Sequence, residues 1–152
     1  MPSIPLESCT YLSWSYIQSG LINIRDRGTE NPKGLEEDLI KLMKTNVIGN
    51  IHLYNLFMPL ILKGKVKKVI CITTGMADLE LINDYDLVVG SLYASSKAAM
   101  NVVTAKFSAQ YKKDGVLFLG ICPGMVDVGA INPAECMTPL PHLKRLIYSS
   151  TA

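Results

Sequence analysis

From Leu35 onward, apolar residues recur at three- and four-residue steps: Leu39, Leu42, Met43, Val47, Ile51, Tyr54 and Met58. That period places them on one helical face and predicts a single long amphipathic helix over 35–62. Glu36, Glu37 and Asp38 fall in its first turn, where carboxylates complement the positive end of the helix dipole. Pro59 is predicted to bend or end it. Two later runs have another pattern. Val66–Thr74 (VKKVICITT) is β-branched and mostly apolar, as a parallel strand covered on both faces would be, and Val116–Cys122 (VLFLGIC) reads as a second buried strand. Between them, 75–92 is looser, with Asp78, Glu80, Asp84 and Asp86 among leucines. A second helix is predicted from Tyr93 to Lys113, with Ala94, Ser95, Ser96, Ala98 and Ala99 permitting close packing and Asp114-Gly115 as its stop.

The flanks carry weaker patterns. Residues 1–34 are punctuated by Pro2, Pro5, Gly20, Gly28, Pro32 and Gly34, with a short extended piece expected at Ile22 and Ile24. The tail after Asn132 is broken by Pro133, Pro139 and Pro141, and one short helix is expected from His142 to Tyr148. The central order is helix, strand, helix, strand. Parallel strands joined by crossover helices give an α/β layer, with ligands expected just beyond the strands' carboxyl ends. Thr73 and Thr74 end the first strand and Pro123-Gly124 the second, so the polar groups gather where a ligand belongs.

Composition narrows the class. At 49% hydrophobic and 18% charged residues over 152 positions, the chain has the makings of one packed globular domain. A net charge of +2 gives no argument for nucleic acid, and the lysine run at 63, 65, 67 and 68 reads as a solvated turn. Cys9, Cys71, Cys122 and Cys136 lack metal-ligand spacing, and with His52 and His142 far apart no metal site is expected. Reduced thiols, the lack of a secretory leader and short apolar runs lead to the expectation of a cytoplasmic, non-membrane protein.

Candidate chemistry centres on Tyr93 and Lys97, one helical turn apart and therefore on one face. A phenol can exchange a proton with a carbonyl or alcohol oxygen, but its ordinary pKa of about 10 makes it a slow base at neutral pH. A neighbouring ammonium stabilises the phenolate. The spacing alone is common on helix surfaces.

The context makes it specific. Asn46-Val47-Ile48-Gly49, the strand ending in Thr73-Thr74, Tyr93-Ala94-Ser95-Ser96-Lys97-Ala98-Ala99 and Cys122-Pro123-Gly124 follow one another in this order. Together they resemble the second half of the short-chain dehydrogenase/reductase family, most closely its fungal members, over roughly 35–129. The resemblance implies a partial Rossmann-like fold with a doubly wound parallel sheet, forming one domain over 1–152. It implies an oxidoreductase that passes a hydride between NAD or NADP and a carbonyl or secondary alcohol, in fungi often in secondary metabolism. Tyr93 matches the acid/base, and Lys97 the lysine that lowers its pKa and bonds the nicotinamide ribose. Thr74 matches the hydroxyl that polarises the substrate oxygen, with Thr73 as the alternative. Asn46 matches the asparagine whose backbone holds a relay water. Pro123, Gly124 and Val126 match the turn along the nicotinamide, and Val128 stands where many members carry a threonine on the carboxamide.

One family feature is not recognisable. No glycine-rich turn follows a strand, since Gly20, Gly28 and Gly34 are too widely spaced to cradle a pyrophosphate. The chain therefore reads as a family member whose first three strands are absent. The expected consequence is an exposed apolar sheet face and a tendency to associate. A catalytically inactive remnant that dimerises through helices 35–62 and 93–113 is the competing reading.

Overall fold

The computed structural model describes residues 30–123, together with the backbone of 10–12 and 147–149. Within these residues a four-stranded sheet runs in the order β1 (Thr10–Leu12), β2 (Lys68–Ile72), β3 (Leu117–Ile121), β4 (Ile147–Ser149). β1, β2 and β3 are parallel, in register Leu12↔Ile70 and Ile70↔Leu119. This is the expected Rossmann-like α/β arrangement.

The predicted first helix is three consecutive pieces: α1 (Pro32–Met43), a π-helical turn (Lys44–Ile48) and α2 (Gly49–Lys63). Asn31 caps α1, its side-chain oxygen accepting from the Gly34 amide at 2.9 Å, and Pro32 occupies the first position, where no amide is needed. Pro59 does not end α2, which continues to Lys63. Pro59 and Asn55 are both exposed, so the carbonyl that loses its amide donor is open to water.

The loose segment after β2 holds a 3₁₀ turn (Gly75–Ala77) and a short helix, α3 (Leu79–Asp84), capped by Asp78, which accepts from the Leu81 amide at 3.0 Å. The second long helix, α4, spans Ser91–Tyr111 and tightens into a 3₁₀ turn at Lys112–Asp114. It ends as predicted at Gly115, whose φ of 73° is left-handed. The expected helix at 142–148 is corrected at its carboxyl end: Ile147–Ser149 is a strand, antiparallel to β3. The edge of β3 offers unpaired amides and carbonyls, and pairing satisfies them. The expected piece at Ile22 and Ile24 lies outside the described residues.

The core lies between one sheet face and helices α2 and α4. Tyr54, Met58 and Ile61 from α2 and Met100 from α4 meet Val69, Cys71 and Phe118 from the sheet, all fully or nearly buried. Tyr54 makes edge-on ring contacts with Phe107 at 5.2 Å and with Phe118 at 5.7 Å. Its hydroxyl lies 3.3 Å from that of Thr104, which gives the buried oxygen a partner. Alternation sends Ile70, Ile72, Leu117, Leu119 and Ile121 to the opposite face, where each is half-buried.

Candidate active site

Parallel pairing brings the carboxyl ends of β2 and β3 together. Beyond the last paired residues, the Thr73 amide donates to the Ile121 carbonyl at 2.9 Å. The Gly75 amide donates to Sγ of buried Cys122 at 3.2 Å, so the turn after β2 is fastened to the chain leaving β3. The two threonines differ. Thr73 is buried and its hydroxyl donates to Oδ1 of Asn101 at 2.7 Å. Thr74 is half-buried, and its hydroxyl accepts from the Met76 amide at 3.3 Å, capping the 3₁₀ turn.

Helix α4 packs against that turn. Its entry is set by Gly90, whose φ of 70° is left-handed, immediately before Ser91. Tyr93, in the first helical turn, is buried with Leu42 and Leu92 and packed by Leu35 and Leu39 of α1. One turn on, Lys97 is 1% exposed. Its Nζ lies 5.7 Å from the centroid of the Tyr93 ring and donates to the Ile72 carbonyl at 2.7 Å. Burial removes water from the ammonium and holds its pKa below the ordinary 10.5, while the nearby Cys71 thiol acts in the opposite sense.

Asn46 sits in the π-helical turn, where the Gly49 amide reaches back to the Lys44 carbonyl. Such wide turns recur where a helix must offer backbone or side-chain groups to a site. Asn46 is fully buried; its Nδ2 donates to Oγ of Ser96 at 3.0 Å, and Ser96 in turn donates to the Tyr93 carbonyl at 2.8 Å. The Asn46 carbonyl accepts from Nδ2 of Asn50 at 2.8 Å.

Lys97 thus reaches the carboxyl end of β2 with the Tyr93 ring beside its Nζ, Thr74 lies two residues beyond that strand's Ile72, and Asn46 is joined to the first turns of α4 through Ser96. Pro123 is exposed at the end of β3. Gly124, Val126 and Val128 lie outside the described residues. A concavity lined by Glu37, Ile40, Lys41, Lys44 and Thr45 is separate and holds none of these groups. The sequence reading missed Ser96, Asn50 and Asn101. Ser96 stood among small residues and read as packing, and no local signal marks the partners of the two asparagines.

The sequence pattern of the short chain dehydrogenase family matches residues 24–136. Over 99 residues the chain is 63% identical to the short chain dehydrogenase virK of Hypocrea virens, covering 65% of this chain and 36% of that protein. Over 95 residues it is 60% identical to the short-chain dehydrogenase/reductase iacC of Pestalotiopsis fici, covering 62% of this chain and 35% of that one. The chain therefore spans just over a third of the length of these curated relatives. Among solved structures, an oxidoreductase of the short chain dehydrogenase/reductase family from Brucella ovis, in complex with a partially ordered NAD, is similar at a TM-score of 0.55 and 17% identity. That likeness covers 82% of this chain and 52% of that one. An NADPH-bound carbonyl reductase from chicken fatty liver is similar at a TM-score of 0.51 and 23% identity, over 58% of this chain and 38% of that one. These structures bear on the fold.

Proposed function

The chain belongs to the short-chain dehydrogenase family, and from that membership we propose that it carries the proton-transfer side of a nicotinamide-dependent oxidoreductase site acting on a carbonyl or secondary alcohol. One observation carries the reading. A buried ammonium, Lys97, lies 5.7 Å from the Tyr93 ring centroid at the carboxyl end of a parallel strand that runs on into Thr74.

Residue roles follow from that geometry. The Thr74 hydroxyl donates to the substrate oxygen and orients it. In reduction, the Tyr93 phenol gives its proton to that oxygen as negative charge develops there. Lys97 stabilises the resulting phenolate, which solvent then reprotonates. Lys97 and the turn at Pro123 would hold a nicotinamide dinucleotide, which would supply the hydride for the carbonyl carbon. The donor set suits that group: an ammonium with three N–H donors matches sugar hydroxyls, and Pro123 lies open at the neighbouring strand end. Asn46 fixes the first turn of α4 through Ser96, and by its match to the family its backbone holds a relay water. Gly124 and Val126 extend the nicotinamide side by their match to the family, and Val128 stands there in place of the threonine that many members carry. NAD and NADP both fit this description, and a fungal secondary-metabolite ketone or alcohol is the substrate class that the resemblance supports.

The exposed Leu56 and Leu60 on α2 and Val102 on α4 favour an additional reading, in which these helices pair two copies of the chain. Among the described residues no helix is long and apolar enough to cross a membrane.

The test incubates the chain with NADPH or NADH and a set of aldehydes and ketones, following nicotinamide absorbance and sedimentation in parallel. Carbonyl-dependent oxidation of one cofactor supports the oxidoreductase. No saturable cofactor signal at millimolar concentration contradicts it, and a sedimenting dimer in that case leaves the pairing reading.

A further inference from the structure

The geometry points to Asn101 as a positioning residue that acts through Thr73 to hold the Thr74 hydroxyl in register with Tyr93 and Lys97. This inference rests on the reading of those three residues given above.

Helix α4 is fastened to the end of β2 by two side chains one turn apart on the same face. Lys97 donates to the Ile72 carbonyl at 2.7 Å, and Asn101 accepts from the Thr73 hydroxyl at 2.7 Å. The two ties are chemically unequal. The Lys97 ammonium divides its three N–H donors among the Ile72 carbonyl, the phenolate and the ribose. The Thr73–Asn101 bond involves no reacting group. It acts on a residue already held from the other side, because the Thr73 amide donates to Ile121 of β3 at 2.9 Å. With its amide on β3 and its hydroxyl on α4, Thr73 fixes where the next residue starts. That next residue is Thr74, whose hydroxyl caps the following turn through the Met76 amide. Asn101 therefore holds strand end and helix together through a bond that is independent of Lys97. The pair also accounts for two adjacent hydroxyls at the strand end: that of Thr73 is committed to the scaffold, and that of Thr74 serves the substrate in the reading above.

The test compares Asn101→Leu, which keeps the bulk and removes the acceptor, with Thr73→Val, the double variant, and Thr73→Ser, which keeps the hydroxyl. Amide hydrogen exchange at Gly75 and Met76 is read in each. The expected result is an increase of about tenfold in either single variant, the weight of one hydrogen bond, with no further rise in the double variant and restoration in Thr73→Ser. Amides of β3 keep their protection. Unchanged exchange at 75–76, or an equal rise across β3, overturns the proposal. In carbonyl turnover Asn101→Leu and Thr73→Val each lower kcat about tenfold and leave the cofactor KM in place, as loss of positioning should, while Thr73→Ser keeps the parent kcat; an unchanged kcat in the first two also overturns it. A Tyr93→Phe variant that turns over like the parent sinks the oxidoreductase reading instead. In that event, or if the parent chain shows no turnover, the exchange measurement decides the clamp alone.

Discussion

The side-chain amide of Asn46 donates to the hydroxyl of Ser96 at 3.0 Å across 50 residues of sequence, joining the π-helical turn to the helix that carries Tyr93. Both side chains are fully buried. Ser96 passes the contact on to the Tyr93 carbonyl at 2.8 Å, so the first turn of α4 is held through its own backbone.

Removing the hydroxyl leaves the Asn46 amide without that acceptor in a dry site. Ser96→Ala is expected to cost about 1–3 kcal/mol, and Ser96→Ala with Asn46→Ala less than the sum of the two single changes. Urea unfolding of the four species of the cycle checks this. Strict additivity would show that the two groups do not act together.

Phe118 bears on the core rather than the site. Its ring meets Tyr54 at 5.7 Å and Phe107 at 6.3 Å, and it is 1% exposed. Phe118→Ala is expected to cost about 3–5 kcal/mol, a large share of the 5–15 kcal/mol typical of a domain. Urea or thermal unfolding measures the loss, and a change below about 1 kcal/mol would mean that this sheet face is not packed as described.

Lys97 gives stability a particular pH dependence. Burial lowers its folded pKa below 10.5, against the opposing influence of Cys71. In the window between the lowered value and 10.5 the unfolded chain binds more protons, so stability attributable to this lysine rises as pH rises through it. Below the folded value both states are protonated, and the penalty for burying the charge is felt in full. The stability of the parent relative to Lys97→Met should therefore improve as pH climbs through that alkaline window. Denaturation midpoints of both proteins across pH measure it, and a flat difference contradicts the burial of this ammonium.

Much of the frame was legible in the residues. The apolar runs around Val69 and Phe118 gave β2 and β3 within two residues at each end, and Asp114-Gly115 marked the end of α4. These features follow from local pattern. The π-helical turn did not, because Lys44–Ile48 continues the apolar period and a widened turn leaves that period nearly intact. α3 carried a readable signal in Asp78 followed by Leu-Glu-Leu, but six residues are too few for periodicity. The pairing of β4 depends on the free edge of β3, which nothing near Ile147 announces. At the site, Tyr93 and Lys97 were readable as a pair one turn apart. The ties from Ser96, Asn50 and Asn101 were not, since their partners are set by helix packing rather than sequence neighbourhood.

Tyr93 as the proton donor is the claim on which the functional reading turns, and the rate of nicotinamide oxidation in a single turnover tests it most directly. With chain and NADPH pre-mixed and a reactive ketone added, Tyr93→Phe is expected to slow the step about 10²–10⁴-fold while cofactor affinity is unchanged. Equal rates in the parent and in Tyr93→Phe would contradict it.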